Sequence, residues 1–175
     1  MLLAMLDTPF AQIAAGIEEF ARNALDLAAL ERFAVEQIAG RLPAYNWVGF
    51  FWLDPGDPQM LELGAFAGAP TEHTRIPVSR GICGAAVALG ETIAVDDVRA
   101  DPRYLACSIE TKSEIVVPIR AHGRIVGEID IDSHSAAAFG PADRAFLEAC
   151  AASIGAYMEK AESSRGVPQP RNGHE

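Results

Sequence analysis

Apolar residues recur along the chain in two rhythms, and the places where the rhythm changes predict the elements. Phe10, Ile13, Ile17 and Phe20 fall at helical spacing behind Asp7-Thr8-Pro9, where Thr8 can cap and Pro9 suits the first turn. Asp26 opens a second helix with Leu27, Leu30, Ala34 and Ile38 inward, stopped by Gly40 and Pro43. The rhythm then shortens. Tyr45 to Leu53 is aromatic and β-branched, Asp54-Pro55-Gly56-Asp57-Pro58 is a turn, and Met60 to Ala67 returns as the second strand of a hairpin. Arg75 to Val78 reads as a short extended piece, Gly81 to Leu89 as a short helix ended by Gly90, and Thr92 to Val98 as a short strand. Glu114 to Arg120 and Arg124 to Asp132 make the clearest hairpin, turning at His122-Gly123. Phe139-Gly140-Pro141 introduces a long helix to about Ala161, with Phe146, Cys150, Ile154 and Tyr157 as its stripe. This order predicts an α+β fold: an antiparallel sheet with the N- and C-terminal helices packed on one face. Residues 1–162 form the expected single domain, and the polar stretch 163–175, with two prolines and two glycines, the expected disordered tail.

Bulk properties narrow the partners. A chain of 175 residues, half of them hydrophobic, suits one soluble globular domain. A formal net charge of −10 argues against nucleic-acid phosphates or an anionic membrane as main partner. Met1 to Leu6 is too short and unflanked for a signal peptide, and no window reaches a membrane-spanning length. A cytoplasmic protein with three reduced cysteines is expected. The four histidines are scattered without zinc-like spacing, so no metal is expected, and Gly81-Ile82-Cys83-Gly84 lacks the lysine of a phosphate-binding loop.

The candidate chemistry lies between Arg80 and Ser133. Cys83 follows a glycine turn in the first turn of the short helix, where free N–H groups and the dipole favour a thiolate. The plainer alternative is a small buried residue filling space. Cys107 falls in an irregular segment after a proline turn, where reactive residues concentrate. Cys150 belongs to a helix stripe and reads as core. On a strand Glu128, Asp130 and Asp132 share one face while Ile129 and Ile131 take the other. Acids about 7 Å apart repel by roughly 2 kcal/mol at an effective dielectric near 20, unless water screens them. The pattern by itself therefore fits a solvated edge better than a pocket. Glu114 joins this face only if the hairpin turn is longer than two residues or a bulge intervenes. Trp47 and Phe51, four apart on a strand, also share a face and read either as core or as an apolar slot with a cation–π surface.

These residues carry a resemblance. Arg75-Ile76-Pro77, Arg80 to Gly84, Val95 to Val98, Leu105-Ala106-Cys107, Ser113 to Pro118 and Gly127 to Ser133, with Asn46 to Phe50, resemble a stand-alone GAF domain of the free methionine-(R)-sulfoxide reductase type. The likeness runs from about Thr8 to Tyr157. It implies that Cys107 attacks the sulfoxide sulfur and becomes a sulfenic acid, and that Cys83 forms a disulfide with it that thioredoxin reduces. It also implies that Glu114, Asp130 and Asp132 hold the substrate ammonium and protonate the sulfoxide oxygen, with Trp47 as pocket wall beside Phe51. His73 stands where that family carries a third cysteine, Ser108 where it carries an aspartate and Phe51 where a tyrosine is common.

The resemblance thus implies thiol-dependent reduction of free L-methionine-R-sulfoxide, with no cofactor beyond thioredoxin as reductant. With the apolar terminal helices it makes a homodimer reasonable. The alternative is a non-catalytic GAF module that binds a small amino-acid-like ligand.

Overall fold

The structure, a computed structural model, describes residues 8–105 and 108–165. The elements run α1 (Pro9–Asn23), α2 (Leu27–Arg41), β1 (Trp47–Asp54), β2 (Asp57–Ala67), β3 (Arg75–Pro77), α3 (Gly81–Leu89), β4 (Ile93–Val95), a 3₁₀ turn (Val98–Ala100), β5 (Ser113–Ala121), β6 (Arg124–Ser133) and α4 (Pro141–Arg165). The six strands form one antiparallel sheet in the order β3-β2-β1-β6-β5-β4. Helix starts follow local chemistry. The Ala11 N–H donates to the Thr8 hydroxyl at 3.2 Å and the Ala29 N–H to the Asp26 carboxylate at 2.7 Å, satisfying amides that the helix leaves unpaired.

Two clusters sandwich the sheet. On one face α1, α2 and α4 bury Ile13, Leu30, Ile38 and Ile154 against Val48, Phe50, Ile129 and Ile131. On the other, the short helix α3 packs Ile82, Cys83 and Ala86 over Trp47, Phe51 and Val116. The terminal helices thus share one face, as the pattern predicts, while the short helix covers the opposite one. That placement decides the fate of the acid face. The helix α4 reaches Arg165, beyond the end near Ala161 that its stripe suggests, and residues 166–175 of the expected tail lie outside the described residues. The strand expected over Thr92 to Val98 shortens to Ile93–Val95, because the Asp97 side chain accepts from the Arg99 N–H at 3.0 Å and caps the 3₁₀ turn.

The β5–β6 hairpin sets the register. His122 and Gly123 form a two-residue turn with φ of 50° and 73°, pairing Ala121 with Arg124 and Arg120 with Ile125. The next pair is Ile119 with Gly127, so Val126 is an extra residue in β6. This bulge shifts everything beyond it by one residue. Glu114 lies opposite Asp132 and Val116 opposite Asp130, which puts Glu114 on the acid face despite the short turn.

Candidate active site

Three central strands build the site. Across β1 and β6, Trp47 pairs with Asp132, Gly49 with Asp130 and Phe51 with Glu128, so aromatic rings and acids alternate with nothing but a glycine between the rings. Gly49 has to be small, since a Cβ there would run into the Trp47 ring. Trp47 is further held by donating from its indole N–H to the Ala69 carbonyl at 3.1 Å. Helix α3 closes the face from above and brings the Cys83 Sγ to 3.5 Å from Asp130 Oδ2. One ligand atom each of Cys83, Glu114 and Asp130 lies within 4.8 Å of the others.

The acids are not a solvated edge. Glu114, Glu128, Asp130 and Asp132 are all 5% exposed or less, because α3 covers a face that would otherwise be wet. None of the four takes part in an ion pair among the described residues. Asp130 Oδ1 is buried with no hydrogen-bond partner among the described residues, and Glu128 has only the Cys83 thiol beside its carboxyl group. Four uncompensated negative charges cannot persist in such a place, so the carboxyl groups hold their protons. Burial pushes Glu128 up to about 8. Burial, with the neighbouring Glu128 charge, pushes Asp130 to about 8 as well. Glu114 and Asp132 are raised well above the usual carboxylate range by burial and by the other acids.

Cys83 also departs from expectation. It occupies the first turn of α3, but burial first, and then Asp130, Glu128 and Glu114, raise its thiol well above the ordinary value. A helix dipole worth about 1 kcal/mol does not outweigh desolvation and three adjacent acids. The thiol is neutral and donates to Asp130. Cys150 is buried in the core between α4 and the sheet, in keeping with its place in the helix stripe.

A small cavity of about 50 Å³ opens beside this cluster, lined by Trp47, Thr71, Ser108, Thr111, Asp132 and His134 among others. Trp47 is thus a wall residue. Phe51 is 1% exposed, lies beneath Trp47 with ring centroids 6.3 Å apart, and belongs to the packing under the site. Cys107 lies outside the described residues. Its flanks are placed: Leu105 sits against Gly81 at the start of α3, Ser108 lines the cavity, and the Tyr104 hydroxyl donates to the Ser108 carbonyl at 3.3 Å. His73 is half-buried, with its N–H on the Thr71 hydroxyl at 3.1 Å. Thr111, which lines the cavity, has no motif around it in the sequence, whereas Glu128 stands in the period-two pattern of the acids but is given no role by the resemblance.

Residues 17–158 match the GAF domain family. The chain belongs to it. Three similar proteins are informative about which branch. Over 104 residues it is 41% identical to the "Free methionine-R-sulfoxide reductase" of Saccharomyces cerevisiae, covering 59% of this chain and 57% of that protein. Over 106 residues it is 44% identical to "Protein YtsP" of Bacillus subtilis, covering 61% of this chain and 64% of the relative. The chain thus spans less than two thirds of the length of these curated relatives. A crystal structure of free methionine-R-sulfoxide reductase from Neisseria meningitidis, in complex with its substrate, superposes with a TM-score of 0.83 at 33% identity, covering 89% of this chain and 91% of that one. The sheet face opposite the terminal helices is the one that carries the acids.

Proposed function

We propose that this GAF domain reduces free L-methionine-R-sulfoxide to methionine. The observation that carries the reading is a buried set of four carboxylic acids beside a thiol, none of them in an ion pair among the described residues. An amino-acid ammonium is the natural complement: it lets the acids ionise inside the pocket, and a peptide-bound methionine has no such group to offer. The reductase names of the yeast and Neisseria relatives support the same substrate class.

The chemistry follows from which groups hold protons. Sulfoxide oxygen leaves poorly until protonated, and acids that remain neutral at pH 7 are proton donors in reach. Cys107 attacks the sulfur, an acid of the Glu114, Asp130 and Asp132 group protonates the oxygen, and the oxygen passes to Cys107 as a sulfenic acid while methionine leaves. The neutral Cys83 thiol then condenses with that sulfenic acid, giving a disulfide and water. Asp130, deprotonated after the first step and 3.5 Å from Cys83, is the base within reach of the thiol proton. A dithiol donor of the thioredoxin type returns both cysteines to the reduced state.

A direct test is turnover of the free sulfoxide with thioredoxin, thioredoxin reductase and NADPH, with dithiothreitol in parallel. Steady NADPH loss in the native chain, abolished in Cys107→Ser, is expected. Binding of the sulfoxide with no methionine formed under either reductant would instead make the domain a ligand-binding module.

A further inference from the structure

The cluster of Cys83, Glu114 and Asp130 has a geometry that a substrate ammonium does not require. The Cys83 Sγ lies 3.5 Å from Asp130 Oδ2, and a Glu114 carboxylate oxygen completes a trio of donor atoms within 4.8 Å of one another. A tetrahedral zinc-class ion with bonds of about 2.3 Å to sulfur and about 2.0 Å to oxygen places those two atoms about 3.5 Å apart. The thiol–carboxylate edge already has that length, and the Glu114 oxygen lies within 4.8 Å of the other two ligand atoms. A second observation, the unmet hydrogen-bonding capacity of the buried carboxyl groups, also points to a cation. Glu128, 0% exposed, has only the Cys83 thiol beside its carboxyl group, and Asp130 Oδ1 is buried with no hydrogen-bond partner among the described residues. Buried carboxyl oxygens with no donor are rare and costly, and a metal ion satisfies several at once.

We propose that this site binds one thiophilic divalent cation of the zinc class through Cys83, Glu114 and Asp130. Binding displaces the thiol proton and the carboxyl protons to solvent and changes no oxidation state. The ion occupies the acids that an ammonium would meet and ties up the thiol that would resolve a sulfenic acid. It is therefore a reversible inhibitor of the reaction proposed above. That regulatory consequence rests on the reductase reading, while the binding itself does not.

The test separates the two. The Cys107→Ser variant, which leaves Cys83 as the one thiol on this face, is titrated with Cd²⁺ in the absence of substrate, following the thiolate-to-cadmium charge-transfer band. Zn²⁺ affinity is measured by competition with a chromophoric chelator. Expected are one ion per chain, a band that disappears when Cys83→Ser is added, and at least tenfold weaker Zn²⁺ binding in Glu114→Gln and Asp130→Asn. Thermal melts of each variant check that it is folded. No band in the Cys107→Ser protein, or a band that survives Cys83→Ser, overturns the site. In the native chain Zn²⁺ lowers sulfoxide turnover at least tenfold and EDTA restores it. A Cd²⁺ band in a protein without turnover leaves the metal site standing and removes the reductase reading.

Discussion

The two faces of β6 are made from one backbone and behave as opposites. Ile129 and Ile131 point into the cluster under α1, α2 and α4, where each fully buried side chain contributes about 1.5–3 kcal/mol at any pH. Glu128, Asp130 and Asp132 point the other way, as deeply buried, and have no ion-pair partner among the described residues. One face stabilises the fold, and the other costs stability and gains it back only from protons or a ligand. The alternation also locks the register, because a slip of one residue would drive three acids into the apolar cluster.

The largest expected break in that comparison is chemical. Asp130→Asn removes both a proton donor and the base beside the Cys83 thiol, leaving only a neutral amide oxygen to accept from it. It should lower kcat/KM for the free sulfoxide by roughly 10²–10⁴-fold, the range typical of acid–base groups. The same substitution removes a buried titrating acid, so its melting temperature at pH 8 should equal or exceed that of the native chain. Full activity in Asp130→Asn would remove the acid from the mechanism. A lowered melting point at pH 8 would mean that the carboxyl group is stabilising after all.

Ile129→Ala, one residue away on the opposite face, should do the reverse. Its cavity costs about 2–5 kcal/mol by denaturant titration, while kcat/KM in the remaining folded protein changes little. A loss below about 1 kcal/mol would show that this face is less tightly packed than its burial indicates.

The acid face should also make stability fall with pH. Glu128 and Asp130 are raised to about 8, so between an unfolded value near 4 and about 8 the folded chain holds protons that the unfolded chain has released. Stability from these groups is therefore fully present below about pH 4 and is lost as pH climbs to about 8, by up to about 1.4 kcal/mol per pH unit for each proton. Denaturant titrations in EDTA at pH 5, 6.5 and 8 should show this decline, and Asp130→Asn should flatten it. A curve rising across the same interval would contradict the burial of these groups as neutral acids. Ligand binding offers the complementary readout. An ammonium entering the site ionises the acids, so calorimetry of sulfoxide binding to Cys107→Ser at pH 7 should show protons released to buffer. Binding heats independent of buffer ionisation would mean that the acids are already charged.

Much of this was readable from residues alone. Thr8 and Asp26 mark the helix starts, Gly81 to Leu89 is the short helix to the residue, and the acid alternation in β6 is plain. What period two does not carry is which side of a sheet a nine-residue helix will cover, and so the acids read as a wet edge. For the same reason the Cys83 position looked favourable to a thiolate: helix dipoles are visible in sequence, and three buried acids converging from two other strands are not. The Val126 bulge is likewise silent, since nothing in Arg124-Ile125-Val126-Gly127 distinguishes a skipped residue from a paired one.

The smallest expected effect separates the turn from the bulge. His122 adopts φ 50°, a conformation that suits glycine better, and its imidazole approaches Glu162 at 3.3 Å on the surface. His122→Gly relieves the backbone but adds freedom to the unfolded chain and loses a weak exposed pair, so stability should change by less than about 1 kcal/mol. The acids sit beyond the bulge, where the pairing of Ile119 with Gly127 sets the register whatever residue occupies the turn. Sulfoxide turnover should accordingly match the native chain. If His122→Gly lowers turnover tenfold, then the turn and not the bulge holds Glu114 on the acid face.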